Sequence, residues 1–317
     1  MIISLIRGVA LSGTLLFAGP GSAAAPPNPG APASSSTLES DPIVVTGQRE
    51  RYARASNDVR SITRAPEDVL ARFETPVCPI ALGLPEPLAR ATEARIRTVA
   101  EQLNVAVAVT GCRPNLTVIV ADDGIGAITA LQKKMPNLFQ TLTGAELRVL
   151  KTGSGPVWTW YEYDQRRRDG GPVEHITLLD GNPPRALSSH AYIASNVQLS
   201  RLSSPVRMDI MLAFVVIDSR AAEGLTAQQL ADGAAVLGLS MIDYRRVPSL
   251  NHASALQLFA DRSGRSRIDG MTRFDAAYLH ALYSGESGLP ASQRITVIAQ
   301  EIVGTAHPTG LAAHGSR

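Results

Sequence analysis

Two periodicities run along this chain. Residues 207–217 carry an almost unbroken apolar run from Ile210 to Ile217, and a run with no polar face predicts a strand covered on both sides. Residues 105–109 and 116–120 are short β-branched runs on either side of Gly111, Cys112, Arg113 and Pro114, which predicts two strands joined by a hairpin or tight connection. Residues 156–164 and 173–179 flank Asp169-Gly170-Gly171 and predict a second hairpin. Strand alternation places Trp158 and Trp160 on one face of its first arm and Tyr161 and Tyr163 on the other.

Between these runs the apolar spacing turns helical. Helices are predicted over residues 66–73, 85–103, 127–134, 144–150, 225–239, 272–283 and 292–303, with a short apolar segment at 254–259. Their starts carry side-chain caps: Thr143, Thr226 with Gln229, and Thr272 with Asp275. Strands interspersed with capped helices predict an α+β fold, a mixed or antiparallel sheet with helices packed on it.

The first residues follow a different rule. Arg7 precedes an apolar stretch over residues 8–18, then Gly19, Pro20, Gly21 and Ser22 interrupt it ahead of Ala23, Ala24 and Ala25. That order is a secretory leader over residues 1–24, the alternative being an uncleaved N-terminal anchor. The expected organisation is then a flexible Pro/Ala/Ser/Gly-rich linker over 25–63, one domain over 64–304 and a frayed tail over 305–317, placed in the periplasm or secreted. Beyond the leader no apolar run reaches the ~20 residues of a membrane helix. Export also gives Cys78 and Cys112, the only two cysteines, their expected role as a disulfide, with two buried thiols as the alternative. A formal net charge of +2 in 317 residues supplies no drive toward nucleic acid.

Candidate chemistry is sparse. No nucleophile elbow, phosphate loop or dinucleotide fingerprint is present, and His175, His190, His252, His280, His307 and His314 have no histidine partner at metal-ligand spacing. Asp122 and Asp123 before Gly124 read as a turn, and Arg166, Arg167 and Arg168 as a solvated one. The capped helix ending in Gly238-Leu239, followed by the segment from Thr272 to Tyr283, resembles the central and C-terminal helices of the zincin metallopeptidases. The resemblance puts Ala231 and Ala235 where that family has its two zinc histidines and Asp232 where it has its glutamate. It therefore implies a zincin-like scaffold without zinc, used for something other than peptide hydrolysis. Residues 41–49, Asp-Pro-Ile-Val-Val-Thr-Gly-Gln-Arg, are similar to the segment that opens the plug of TonB-dependent receptors, and imply either a docking strand or a strand in the domain's own sheet.

The expected function is a non-catalytic domain that binds an envelope protein or peptide and needs no cofactor. Its candidate binding residues are Trp158, Trp160, Tyr161, Tyr163, Asp232 and His252. A hydrolase assembled from Asp232, His252 and Glu174 is one alternative, and an accessory of TonB-linked transport is the other.

Overall fold

The computed structural model describes residues 42–177, 190–193, 204–260 and 268–305. The leader at 1–24, the first part of the expected linker and most of the tail lie outside these residues, as does the end of the strand expected at 173–179.

The fold is α+β, and its centre is a four-stranded mixed sheet. The strands β1 (Pro79–Leu82), β2 (Leu116–Ala121), β3 (Val157–Arg167) and β6 (Val206–Asp218) lie in the order β1-β2-β6-β3. β1 and β2 run parallel to their neighbours and β3 runs antiparallel to β6. As its unbroken apolar run predicts, β6 is interior: Ala213, Val215 and Ile217 enter the large core, while Phe214 and Val216 enter a smaller one on the opposite face. The remaining strands, β4 (Glu174–Thr177) and β5 (His190–Ile193), form a separate antiparallel pair.

Helices cover both faces. On the large-core side α2 (Glu86–Gln102) packs against α6 (Ala227–Leu239), beside α7 (Arg273–Tyr283) and α8 (Ala291–Thr305). On the other side α3 (Gly124–Lys134) and α4 (Gly144–Thr152) close over Trp160, which stacks between Phe139 and Phe214 with ring centroids 5.0 and 4.6 Å away. The capping boxes predicted at Thr226/Gln229 and Thr272/Asp275 are both formed, and Thr143 makes a third with Glu146. Asp123 caps α3 by accepting from the Gly126 N–H, and α5 (Ser219–Ala222) is a single turn after β6. At the other end of α7, buried Arg294 donates to the carbonyls of Ala281 and Ser284, and Arg72 donates to that of Leu282. These carbonyls have no partner within the helix, and a guanidinium satisfies several at once. Burial, with Arg72 alongside, pulls the Arg294 pKa down to about 10, which leaves it charged at neutral pH.

Several local expectations are corrected. Residues 42–62, read as linker with a strand-forming piece, form the helix α1 (Pro42–Ile62), so the folded unit starts at Pro42 rather than Arg64. Its β-branched Val44 and Val45 sit in the first turn. Ala55, Val59 and Ile62, spaced four and three apart, bury one stripe in the large core while the helix packs on α8. Residues 66–73 make only one 3-10 turn at Pro66–Asp68, because Glu67 and Asp68 take positive φ and the chain then extends to bridge Pro290 and Asp209. The strand expected at 105–109 is reduced to a single bridge between Val107 and Val77, and the partner of β2 is instead β1. The aromatic hairpin does not form either. β3 pairs along its length with the longer β6, its expected second arm pairs with β5, and one bridge between Arg166 and Pro172 remains at the turn.

The expected disulfide between Cys78 and Cys112 is formed and joins the start of β1 to the loop before β2. The same junction is held by Asn115, whose side chain accepts from the Cys78 N–H and whose own N–H donates to the Cys78 carbonyl. Crosslinking a 34-residue separation stabilises by about 3–4 kcal/mol through restriction of the unfolded chain. Replacing both cysteines by alanine is therefore expected to lower the melting temperature by roughly 6–16 °C in calorimetry, with the far-ultraviolet circular dichroism unchanged.

Candidate functional site

Among the described residues β3 is an edge strand, and the direction of its backbone groups decides what it offers. The Asp218 N–H donates to the Pro156 carbonyl, so the even-numbered positions of the first half of β3 face β6. The odd-numbered ones, Val157, Thr159 and Tyr161, turn their N–H and C=O groups outward. At Tyr161 the outward carbonyl accepts from the Thr141 hydroxyl at 2.7 Å. At Val157 and Thr159 the outward groups face a cavity of about 420 Å³.

This cavity is a groove between the two helical layers. One wall is α4 with Glu146, Val149 and Leu150, and the other is the turn that carries Asp243, Tyr244 and Pro248. Gly153, Ser154, Gly155 and Pro156 form one end. The Thr159 hydroxyl donates to the Ile242 carbonyl at 3.4 Å, which holds the second wall against the strand. Arg64 belongs to that wall through its N–H, which donates to the Met241 carbonyl, and its guanidinium reaches Glu146 on α4 at 2.9 Å. A single ion pair thus straps the groove from wall to wall. Burial pushes the Glu146 carboxyl up, but donation from the Thr143 N–H and hydroxyl together with the charge of Arg64 outweighs it and leaves the pKa lowered. Asp243 is lowered in the same way, burial being overcome by its bonds to Arg245.

The predicted aromatic residues divide between this groove and the cores. Trp158 is half-buried in the groove wall, its Nε1 donating to the Gly153 carbonyl at 3.1 Å. Trp160 is buried in its stack, with Nε1 donating to the Leu138 carbonyl, and only borders the groove. Tyr161 is core: its hydroxyl donates to the Leu237 carbonyl on α6, and burial pushes its pKa up to about 12. Tyr163 packs at the margin of the same core. The expected division of faces is therefore observed, and Trp158 is the part-exposed aromatic residue of the four that lines the groove.

Asp232 and His252 stand in separate networks. Asp232 is buried on α6, where it accepts from both arms of Arg95 at 2.7 and 3.3 Å and from the Met271 N–H at 2.9 Å. These bonds tie α2 and the loop before α7 to α6, and the carboxylate holds no oxygen toward a cavity. His252 Nδ1 lies 2.7 Å from Asp58 on α1, and its ring stacks on Phe274. The two share no hydrogen-bond partner, and the Glu174 side chain lies outside the described residues, so no hydrolytic constellation is assembled from them. Ala231 and Ala235 are buried in the large core. Among the described residues no three His, Cys, Asp or Glu side chains are grouped to hold a metal ion.

Sequence reasoning missed three parts of the groove: Arg64, placed at a domain boundary; Asp243 and Tyr244, in an unassigned turn; and the unpaired edge itself. The one available signal was the Thr143-x-x-Glu146 capping box, which locates Glu146 but not the arginine across from it. Gly124 belongs with them. It starts α3 against the Trp158 ring, where an added Cβ would approach to 2.2 Å. Gly124→Ala is expected to push the indole out of place, at about 1–3 kcal/mol of stability, with a shift in the tryptophan emission. No family model, curated protein or solved structure matches this chain.

Proposed function

We propose that this protein is a non-catalytic binding domain that acts outside the cytoplasm and captures an extended polypeptide segment along the outer edge of β3. The observation that carries this reading is the pair of outward-facing backbone positions, Val157 and Thr159, opening into a groove beside Trp158. A strand edge presents alternating donors and acceptors at the spacing of a peptide main chain, so its complement is another extended chain. Trp158, Val149 and Leu150 supply an apolar pocket for one side chain of that segment, and Tyr244 and Pro248 line the opposite wall. Trapping one large apolar side chain there while water is excluded from the edge is the usual division between anchor and frame. The leader-like N-terminus and the disulfide support the extracytoplasmic setting.

Peptides selected from a random library against the purified disulfide-bonded protein test this directly. A selected peptide is expected to protect the Val157 and Thr159 amides from hydrogen exchange and to change the Trp158 emission. Trp158→Ala is expected to weaken it by about tenfold. Thr159→Pro keeps the ladder to β6, whose bonds run through the even positions, but removes an outward donor together with the hydroxyl bond to Ile242, so it should abolish binding, whereas Thr159→Val, which removes only the hydroxyl bond, should retain it. Peptides that bind without perturbing these two amides would refute the reading.

The strap makes the groove sensitive to acid. A carboxyl whose pKa is lowered by folding contributes stability above its unfolded pKa, and that contribution is lost as pH falls through the folded value. Carbon-detected NMR titration of Glu146 is expected to give a midpoint below the ordinary glutamate range, and Arg64→Ala should raise it. Loss of the Arg64–Glu146 contact at that pH should be visible as a change in the Trp158 emission.

A further inference from the structure

A second cavity, of about 280 Å³, lies between α1 and the end of α8 and is lined by Arg51, Arg54, Asn251, His252, Ile302 and Val303. Its polar lining carries two guanidiniums and an imidazole and no carboxylate. Asp58 is buried and accepts from His252 Nδ1 at 2.7 Å, from the His252 N–H at 3.0 Å, and from the N–H and side-chain amide of Asn251 at 2.9 and 2.7 Å. Four donors on one buried carboxylate fix the loop to α1 and fix the ring, which also stacks on Phe274 with centroids 5.2 Å apart. Binding of Nδ1 to Asp58 leaves Nε2, which has no hydrogen-bond partner among the described residues. Arg54, exposed on α1, has none either.

An imidazole oriented by a buried carboxylate, with two arginines one helical turn apart lining the same cavity, places cationic donors around one space. We infer that this cavity binds a phosphate group, held by His252 Nε2 in its protonated form and by Arg54 with Arg51, with Ile302 and Val303 as the apolar wall beside it. Asp58 then has a positioning role: it holds the ring and balances its charge without touching the anion. The inference is independent of the groove at β3, which lies on other elements.

Titration of the whole disulfide-bonded protein with inorganic phosphate, at mildly acidic pH and matched chloride ionic strength, tests it through the histidine ring resonances in NMR. The His252 ring is expected to shift with saturation, while that of His280, exposed and paired with Glu301, stays in place. Arg54→Ala removes an exposed side chain with no hydrogen-bond partner among the described residues, and should weaken phosphate by about tenfold or more with little change in melting temperature. Dihexanoyl phosphatidic acid separates two sources of the group: equal affinity for both probes assigns free phosphate, and tenfold tighter binding of the lipid places an acyl chain on Ile302 and Val303. No saturable shift with either probe, equal shifts at His252 and His280, or undiminished binding by Arg54→Ala would each overturn the inference.

Discussion

The arrangement of this protein depends on β6 being buried on both faces and paired on both edges. A strand of thirteen residues with alternate side chains in two cores has no polar direction left, so helices must cover it above and below and strands must flank it on either side. β2 takes one edge in parallel and β3 the other in antiparallel orientation, and among the described residues the sheet ends at β3. β3 therefore inherits the problem of an exposed edge. Thr141 satisfies part of it, the Ile242 turn shields part of it, and the remainder opens into the groove.

The groove at β3 and the cavity between α1 and α8 are built in contrasting ways. The groove is lined by strand backbone, with side chains as walls and as a strap. The cavity is lined by side chains, and the backbone of the Asn251-His252 loop is held by Asp58. The Arg64–Glu146 pair and the His252 ring on Asp58 are fixed before anything binds, which lowers the ordering cost of binding. Asp232 is another buried acid, and Arg95 and the Met271 N–H take up its bonding capacity. Its use is architectural, holding α2 and the loop before α7 to α6.

Much of the helical content was legible because it is local. Caps at Thr143, Thr226 and Thr272 and apolar stripes of period 3.6 act over four residues, and these helices appear where their residues predict them. The strand pairings were less legible. The turn at Asp169-Gly170-Gly171 reads as a hairpin from its residues alone, yet the longer and more apolar β6 outcompetes residues 173–177 for β3. Helix α1 was hidden for a related reason: its sequence is polar apart from one narrow stripe, and that stripe becomes a signal only once α8 is there to receive it.

The amino-acid sequence by itself determined which strand would be central, which faces Trp158, Trp160, Tyr161 and Tyr163 would take, where the capped helices would start, and that Cys78 and Cys112 were available to each other. These follow from periodicity, from bonds between neighbours in the chain and from elimination among two thiols. Only the tertiary structure decided that β3 would be an edge, that Arg64 would reach Glu146 across it, and that Asp58 would stand behind His252. Each of these joins residues 82 or more positions apart in the chain or depends on how strands distant in the chain pair, and no local pattern encodes either one.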